Sequence, residues 1–84
     1  MNFTVFPNPT QGEIKIEVES DISTEAGLKL ANIYGQVLCT KKIGISAGSS
    51  DFFLVDARVL PVGVYLITLE TEMEIVSKKL VINK

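Results

Sequence analysis

The chain has 84 residues, room for one small domain, and its 46% hydrophobic against 21% charged content excludes a disordered polypeptide. It has no histidine and a single cysteine, Cys39, which excludes His-based triads, His-ligated zinc and an intrachain disulfide. The net charge is −2 from 8 basic and 10 acidic residues, and the only lysine pairs are Lys41-Lys42 and Lys78-Lys79, so the basic stripe interleaved with aromatics that nucleic-acid binding requires is missing.

In chain order, Phe3-Thr4-Val5-Phe6 is a short β-prone run stopped by Pro7-Asn8-Pro9, where each proline fixes its own φ and biases the residue before it toward extended backbone. Gly12 ends this stiff corner. Glu13 to Glu19 then alternates strictly, with Ile14, Ile16 and Val18 on one face and Glu13, Lys15, Glu17 and Glu19 on the other, which is the period of a half-buried strand. Residues 21–27 are polar and turn-rich and lead into a third strand at Leu28-Lys29-Leu30. Asn32-Ile33-Tyr34-Gly35 reads as a turn, since Asn and Gly most readily supply positive φ, and Gln36 to Thr40 completes a hairpin.

A small-residue loop is expected over 44–50, and an apolar strand over Asp51 to Val55. Asp56 is placed to cap a single helical turn over Ala57 to Leu60, and Leu60-Pro61-Val62-Gly63 fits a type I turn. Val64 to Leu69 is apolar on both faces, which predicts a central strand, and after a turn at 70–74 the run from Ile75 to Ile82 forms the last one. Seven short strands with turn chemistry between them and no sustained helical period predict an all-β fold, a small seven-stranded immunoglobulin-like antiparallel β-sandwich. Its expected core is Val5, Ile14, Ile16, Val18, Leu28, Leu30, Val37, Phe53, Val55, Leu60, Tyr65, Ile67, Leu69 and Leu80, with Cys39 as a small buried hydrophobe on its strand.

Residues with possible chemistry have plain structural readings. Glu70, Glu72 and Glu74 alternate around a turn and read as a solvated edge rather than a metal site, and Asn8-Pro9-Thr10 is no glycosylation acceptor because proline holds its middle position. Lys78 and Lys79 point to opposite faces of a regular strand, where lysine discourages edge-to-edge aggregation. An enzyme using Asp51 and Asp56 would need a cleft that seven short strands hardly provide.

Taken in order, Val5-Phe6-Pro7-Asn8-Pro9-Thr10-x-Gly12, Ile33-Tyr34-Gly35-Gln36-Val37-Leu38, Leu60-Pro61-x-Gly63-Val64-Tyr65-Leu66 and Lys78-Lys79-Leu80-Val81 resemble the C-terminal sorting domain, type A, of cargo exported by the type IX (Por) secretion system of Bacteroidota. The resemblance covers essentially the whole chain. The Pro-Asn-Pro with its following Gly is its most specific element. Asn32-Ile33-Tyr34 stands where the commonest form has an acidic and a small polar residue before the Gly, and Asn keeps the geometry of an Asp turn.

The resemblance implies a non-catalytic address domain without cofactor or metal, residues 1–84 being a single sorting domain at the end of a larger secreted protein that also carries any export signal. Its implied partners are an N-terminal cargo domain in the parent chain, the outer-membrane export machinery and a surface sortase-like protease. Its implied path is through the periplasm to the cell surface or the medium. The recognised surface is expected at Pro7, Asn8, Pro9, Gly12, Gly35, Gly63, Tyr65, Lys78, Lys79, Leu80, Val81 and Lys84. The alternative is an adhesive or carbohydrate-binding accessory module, which would need exposed aromatic platforms from a chain with no Trp and only Tyr34 and Tyr65 as tyrosines.

Overall fold

A computed structural model describes residues 1–48 and 50–84 and contains seven antiparallel strands: β1 (Asn2–Phe6), β2 (Glu13–Glu19), β3 (Thr24–Asn32), β4 (Val37–Ile45), β5 (Ser50–Asp56), β6 (Gly63–Glu70) and β7 (Ile75–Ile82). They form a three-stranded sheet, β1-β2-β5, and a four-stranded sheet, β4-β3-β6-β7. This is an immunoglobulin-like sandwich in which the fourth strand pairs with the third.

The alternation seen in the sequence sets the two inner faces. Phe3, Ile14, Ile16 and Val18 from one sheet meet Ile67, Leu69, Leu80 and Ile82 from the other, all at or below 1% exposure. Ala26, Leu28, Leu30, Ile43, Ile45, Ala57 and Tyr65 complete the buried cluster with Val5, while Phe53, Val55 and Leu60 pack against it half-buried. Phe3, Ala26, Ile43, Ile45, Ala57 and Ile82 were not among the expected core residues.

Several expectations are corrected. The third strand begins at Thr24 inside the segment read as a turn, and the fourth runs on through Lys41-Lys42 to Ile45, because Thr24 to Gly27 pair with Lys42 to Ile45. Sheet pairing here overrides the low intrinsic β-preference of Lys and Gly. Of the loop expected over 44–50, Gly44 and Ile45 belong to β4, Ser50 begins β5 and Ser49 lies outside the described residues.

Val37 is exposed rather than buried. A bulge between Leu30 and Ala31 sets Leu30 opposite Cys39 but Ala31 opposite Val37, so Val37 joins the outer face. Cys39 faces inward opposite Leu30 yet is also exposed, since the three-stranded sheet ends at β5 and leaves this edge of β4 uncovered. No helical turn forms after Asp56. Ala57 to Leu60 is a tight turn closed by Leu60 N–H donating to the Ala57 carbonyl at 3.0 Å. β6 is central, between β3 and β7, but Val64 and Leu66 remain over 40% exposed on its outer side.

Strict up-and-down alternation places the β1–β2, β3–β4 and β5–β6 connections at the same pole as the end of β7. Met1 and the remaining connections lie at the other pole, in a molecule with extents of 35 × 22 × 16 Å.

Candidate functional site

The segments singled out in the sequence are up to 73 positions apart, and the alternating strand directions bring them to one pole. The Pro7-Asn8-Pro9-Thr10 corner, whose two X–Pro bonds are both cis, lies along the outer edge of β7. Asn8 Nδ2 donates to the Lys79 carbonyl at 2.8 Å, and Val81 N–H donates to Asn8 Oδ1 at 3.0 Å. Thr10 continues the pairing with its backbone: its N–H donates to the Val81 carbonyl at 2.9 Å, and its carbonyl accepts from Asn83 N–H at 2.8 Å. Four hydrogen bonds therefore occupy the outward groups of β7 from the Lys79 carbonyl to the Asn83 amide.

Thr10 is the buried polar residue of this corner, 2% exposed. Its hydroxyl donates to the Glu13 carbonyl at 2.8 Å and accepts from Gly12 N–H at 3.1 Å, closing the turn into β2. Gly12 has φ +131°, and its carbonyl accepts from Ala57 N–H at 2.6 Å, which ties the corner to the β5–β6 turn.

That turn is fixed from three sides. Asp56 and Arg58 form a two-pronged ion pair, with Nε and Nη2 2.9 and 2.8 Å from the two carboxylate oxygens, and Arg58 N–H also donates to Asp56 Oδ1. These side-chain and backbone bonds from Arg58 hold the exposed Asp56 carboxyl at about 2, and Asp56 raises the guanidinium in turn. Lys84 Nζ donates to the Arg58 and Leu60 carbonyls at 2.7 and 2.9 Å, so the last residue closes over the turn. Tyr65 Oη donates back to the Pro61 carbonyl at 2.6 Å, the tyrosine corner of immunoglobulin-like sandwiches.

Of the residues expected to be read together, Pro7, Asn8, Pro9, Gly12, Gly63, Tyr65, Lys79, Leu80, Val81 and Lys84 lie on this assembly. Leu80 is fully buried and serves the core. Gly63 pairs with Ile82, and its φ is not positive, as a type I reading requires. Gly35 is at the same pole with φ +82°, but its turn is bonded within itself, Asn32 Oδ1 accepting from Tyr34 and Gln36 N–H. Lys78 stands apart on the inner side, its ammonium 5.9 Å from the Phe3 ring, whereas Lys79 pairs with Leu66 on the outer face.

Thr10 and Asn83 fall within the corner and the last strand expected to be read but were given no role of their own from the sequence, and Arg58 was not singled out. The Thr-x-Gly spacing that lets a hydroxyl cap its own turn was the available signal for Thr10, and the Asp56-x-Arg58 spacing that for the ion pair; Asn83 acts through its backbone N–H and left none.

The remaining groups are structural. Asp51 accepts from Ser46 N–H and lies five residues from Asp56, about 17 Å along a strand and on the opposite face, so the two cannot share a substrate. Glu70 lies 3.4 Å from Lys29 and Glu74 3.0 Å from the terminal amine. The exposed Phe52 ring has the Lys15 ammonium 4.3 Å from its centre, which denies it to a stacked sugar.

A family model described as the secretion system C-terminal sorting domain matches residues 4–83. No curated protein matches the chain.

Proposed function

The chain belongs to the secretion-system C-terminal sorting domains, and we propose that the pole where its motifs converge is the surface read by the type IX export machinery. The domain is a sorting signal for type IX secretion and directs the protein carrying it to the cell surface or the medium. Its family acts as an address, not a catalyst.

One observation carries the surface reading: residues 8–12, 56–65 and 79–84 are bonded into a single assembly by eleven hydrogen bonds that draw on main-chain groups throughout. Conformation, with no reactive side chain, can serve as the signal. In this reading 1–84 is the terminal module of a larger secreted protein, crosses the periplasm with its cargo and is released by a sortase-like protease at the surface. A cargo domain joined before Met1 would leave from the opposite pole and keep the assembly clear.

Fusion to the C-terminus of an inert periplasmic reporter in a Bacteroidota host tests this. The reporter is expected at the cell surface, and Lys79→Glu, on an exposed side chain that makes no hydrogen bond or ion pair among the described residues, is expected to retain it in the periplasm. Removing residues 80–84 would not separate recognition from folding, because Leu80 and Ile82 are fully buried. Unchanged export of Lys79→Glu would remove the terminal strand from the recognised surface.

A further inference from the structure

An edge strand exposes a row of unpaired N–H and C=O groups, and a partner can recognise it either by adding a strand along that row or by reading the side chains of its face. On the terminal half of β7 the first mode is closed. The Lys79 carbonyl, the Val81 N–H and carbonyl and the Asn83 N–H are all taken by Asn8 and Thr10. Thr10 does this with its own backbone, as a strand residue would. Asn8 does it with its side chain: a primary amide carries N–H donors and a carbonyl acceptor in one plane, as a peptide group does, and here Nδ2 and Oδ1 bond residues 79 and 81 of β7.

Resting on the sorting role, we infer that Asn8 is a positioning residue of the signal: its carboxamide stands in for a neighbouring strand, fixes Lys79 to Val81 and seals their edge, so that the exporter reads the terminal strand by its outer face. That face is laid out by the register. Lys79 lies opposite Leu66 and Val81 opposite Val64, and both β6 side chains are over 40% exposed. Its occupant is a protein surface of the export machinery, apolar over Val64, Leu66 and Val81 with an acidic group meeting Lys79. The distribution of charge favours this orientation. The side chains of Glu19, Asp21, Glu25, Asp51, Glu70, Glu72 and Glu74 fall toward the opposite pole, Glu70 and Glu74 paired there with Lys29 and the terminal amine, whereas the side-chain carboxylates at this pole are Glu13 and Asp56, the second paired with Arg58. An acidic partner is repelled from one end and admitted at the other.

The test compares Asn8→Ala, Asn8→Asp, Leu66→Glu and a core control, Ile67→Val, in the reporter fusion, with amide exchange measured on the isolated chain. Asn8→Ala is expected to speed exchange at Val81 about tenfold, the effect of losing one modest hydrogen bond, with an unchanged far-ultraviolet spectrum, and to lower export several-fold. Asn8→Asp keeps the acceptor for Val81 but sets a carboxylate against the Lys79 carbonyl, so it is expected to fail like Ala. Leu66→Glu is expected to fold and to lose export. Ile67→Val, destabilised at least as much as Asn8→Ala, is expected to export normally.

Equal loss in Asn8→Ala and Ile67→Val would reduce Asn8 to a contributor to stability and overturn the inference. Increased export from Asn8→Ala would show that the edge is read instead of the face. Unchanged exchange at Val81 would remove the seal altogether. If the unmodified fusion stays in the periplasm, the sorting role itself fails, and the exchange measurement still decides the seal.

Discussion

Gly12 and Arg58 approach so closely that a β-carbon on Gly12 would stand 2.7 Å from the Arg58 Cα. The Arg58 main chain fills the space together with its side-chain Cγ at 2.9 Å, and the main chain cannot swing aside. With φ at +131° as well, Gly12 meets both conditions that admit only glycine. Gly35 meets one of them: its φ is +82°, but nothing lies within 4 Å of its missing β-carbon. Gly63 meets neither, since an added carbon would make an ordinary 3.7 Å contact with the Tyr65 ring.

The three glycine-to-alanine variants should therefore rank in stability. Gly12→Ala is expected to cost about 3 kcal/mol or more, Gly35→Ala about 1 to 2 kcal/mol, and Gly63→Ala no more than about 1 kcal/mol. Urea unfolding of the three measures this. Because Gly63→Ala keeps the fold, loss of its export would place Gly63 in the recognised surface, and normal export would remove it.

Tyr65→Phe deletes the hydroxyl that donates to the Pro61 carbonyl and keeps the buried ring. The expected cost is about 1 kcal/mol, seen as a shift of the urea midpoint at constant slope. A variant as stable as the parent would show that the corner's bond is replaced by water.

Asp56 sets an acid limb. Its carboxyl titrates at about 2 in the fold against an ordinary 3.8. A depressed carboxylate stabilises the fold fully above the ordinary value and loses that contribution as pH falls through the folded one. The stability difference between the parent and Asp56→Asn should thus be constant above about pH 4 and shrink toward pH 2, with a small amplitude because both partners are exposed. A difference that persists unchanged to pH 2 would rule out the ion pair as its source.

Cys39 offers a check on the open side of the sandwich. Exposed on β4, it should react with a thiol reagent in the folded protein at nearly the rate found in denaturant. Labelling that waits for unfolding would mean that the edge between β4 and β5 is covered in solution.

The contrast between Cys39 and Ile16 shows how far the sequence could be read. Ile16 sits in a strict alternation whose charged partners face solvent on both sides of it, so its burial follows from local pattern alone. Cys39 lies past a bulge, on a strand whose inner side is covered only where the opposite sheet reaches. No window of sequence around it contains that information. The same limit applies to the site. The stiffness of Pro7-Asn8-Pro9 and the turn at Gly35 are local properties and were legible. The pairing of Asn8 with Lys79 and Val81 spans 71 and 73 positions, and only the sheet order brings them together.

That span has a consequence for timing. A nascent chain emerges from the ribosome with residue 8 long before residue 79 exists, and the clamp between them cannot close until residue 81 has been made. Leu80 and Ile82 must also arrive before the core is complete. A product truncated before residue 80 lacks both the clamp and the core positions beneath it, so an address written in this way is legible only on chains that extend through the last strand. The fold thereby acts as a test, at the gate of export, that synthesis has reached the last strand.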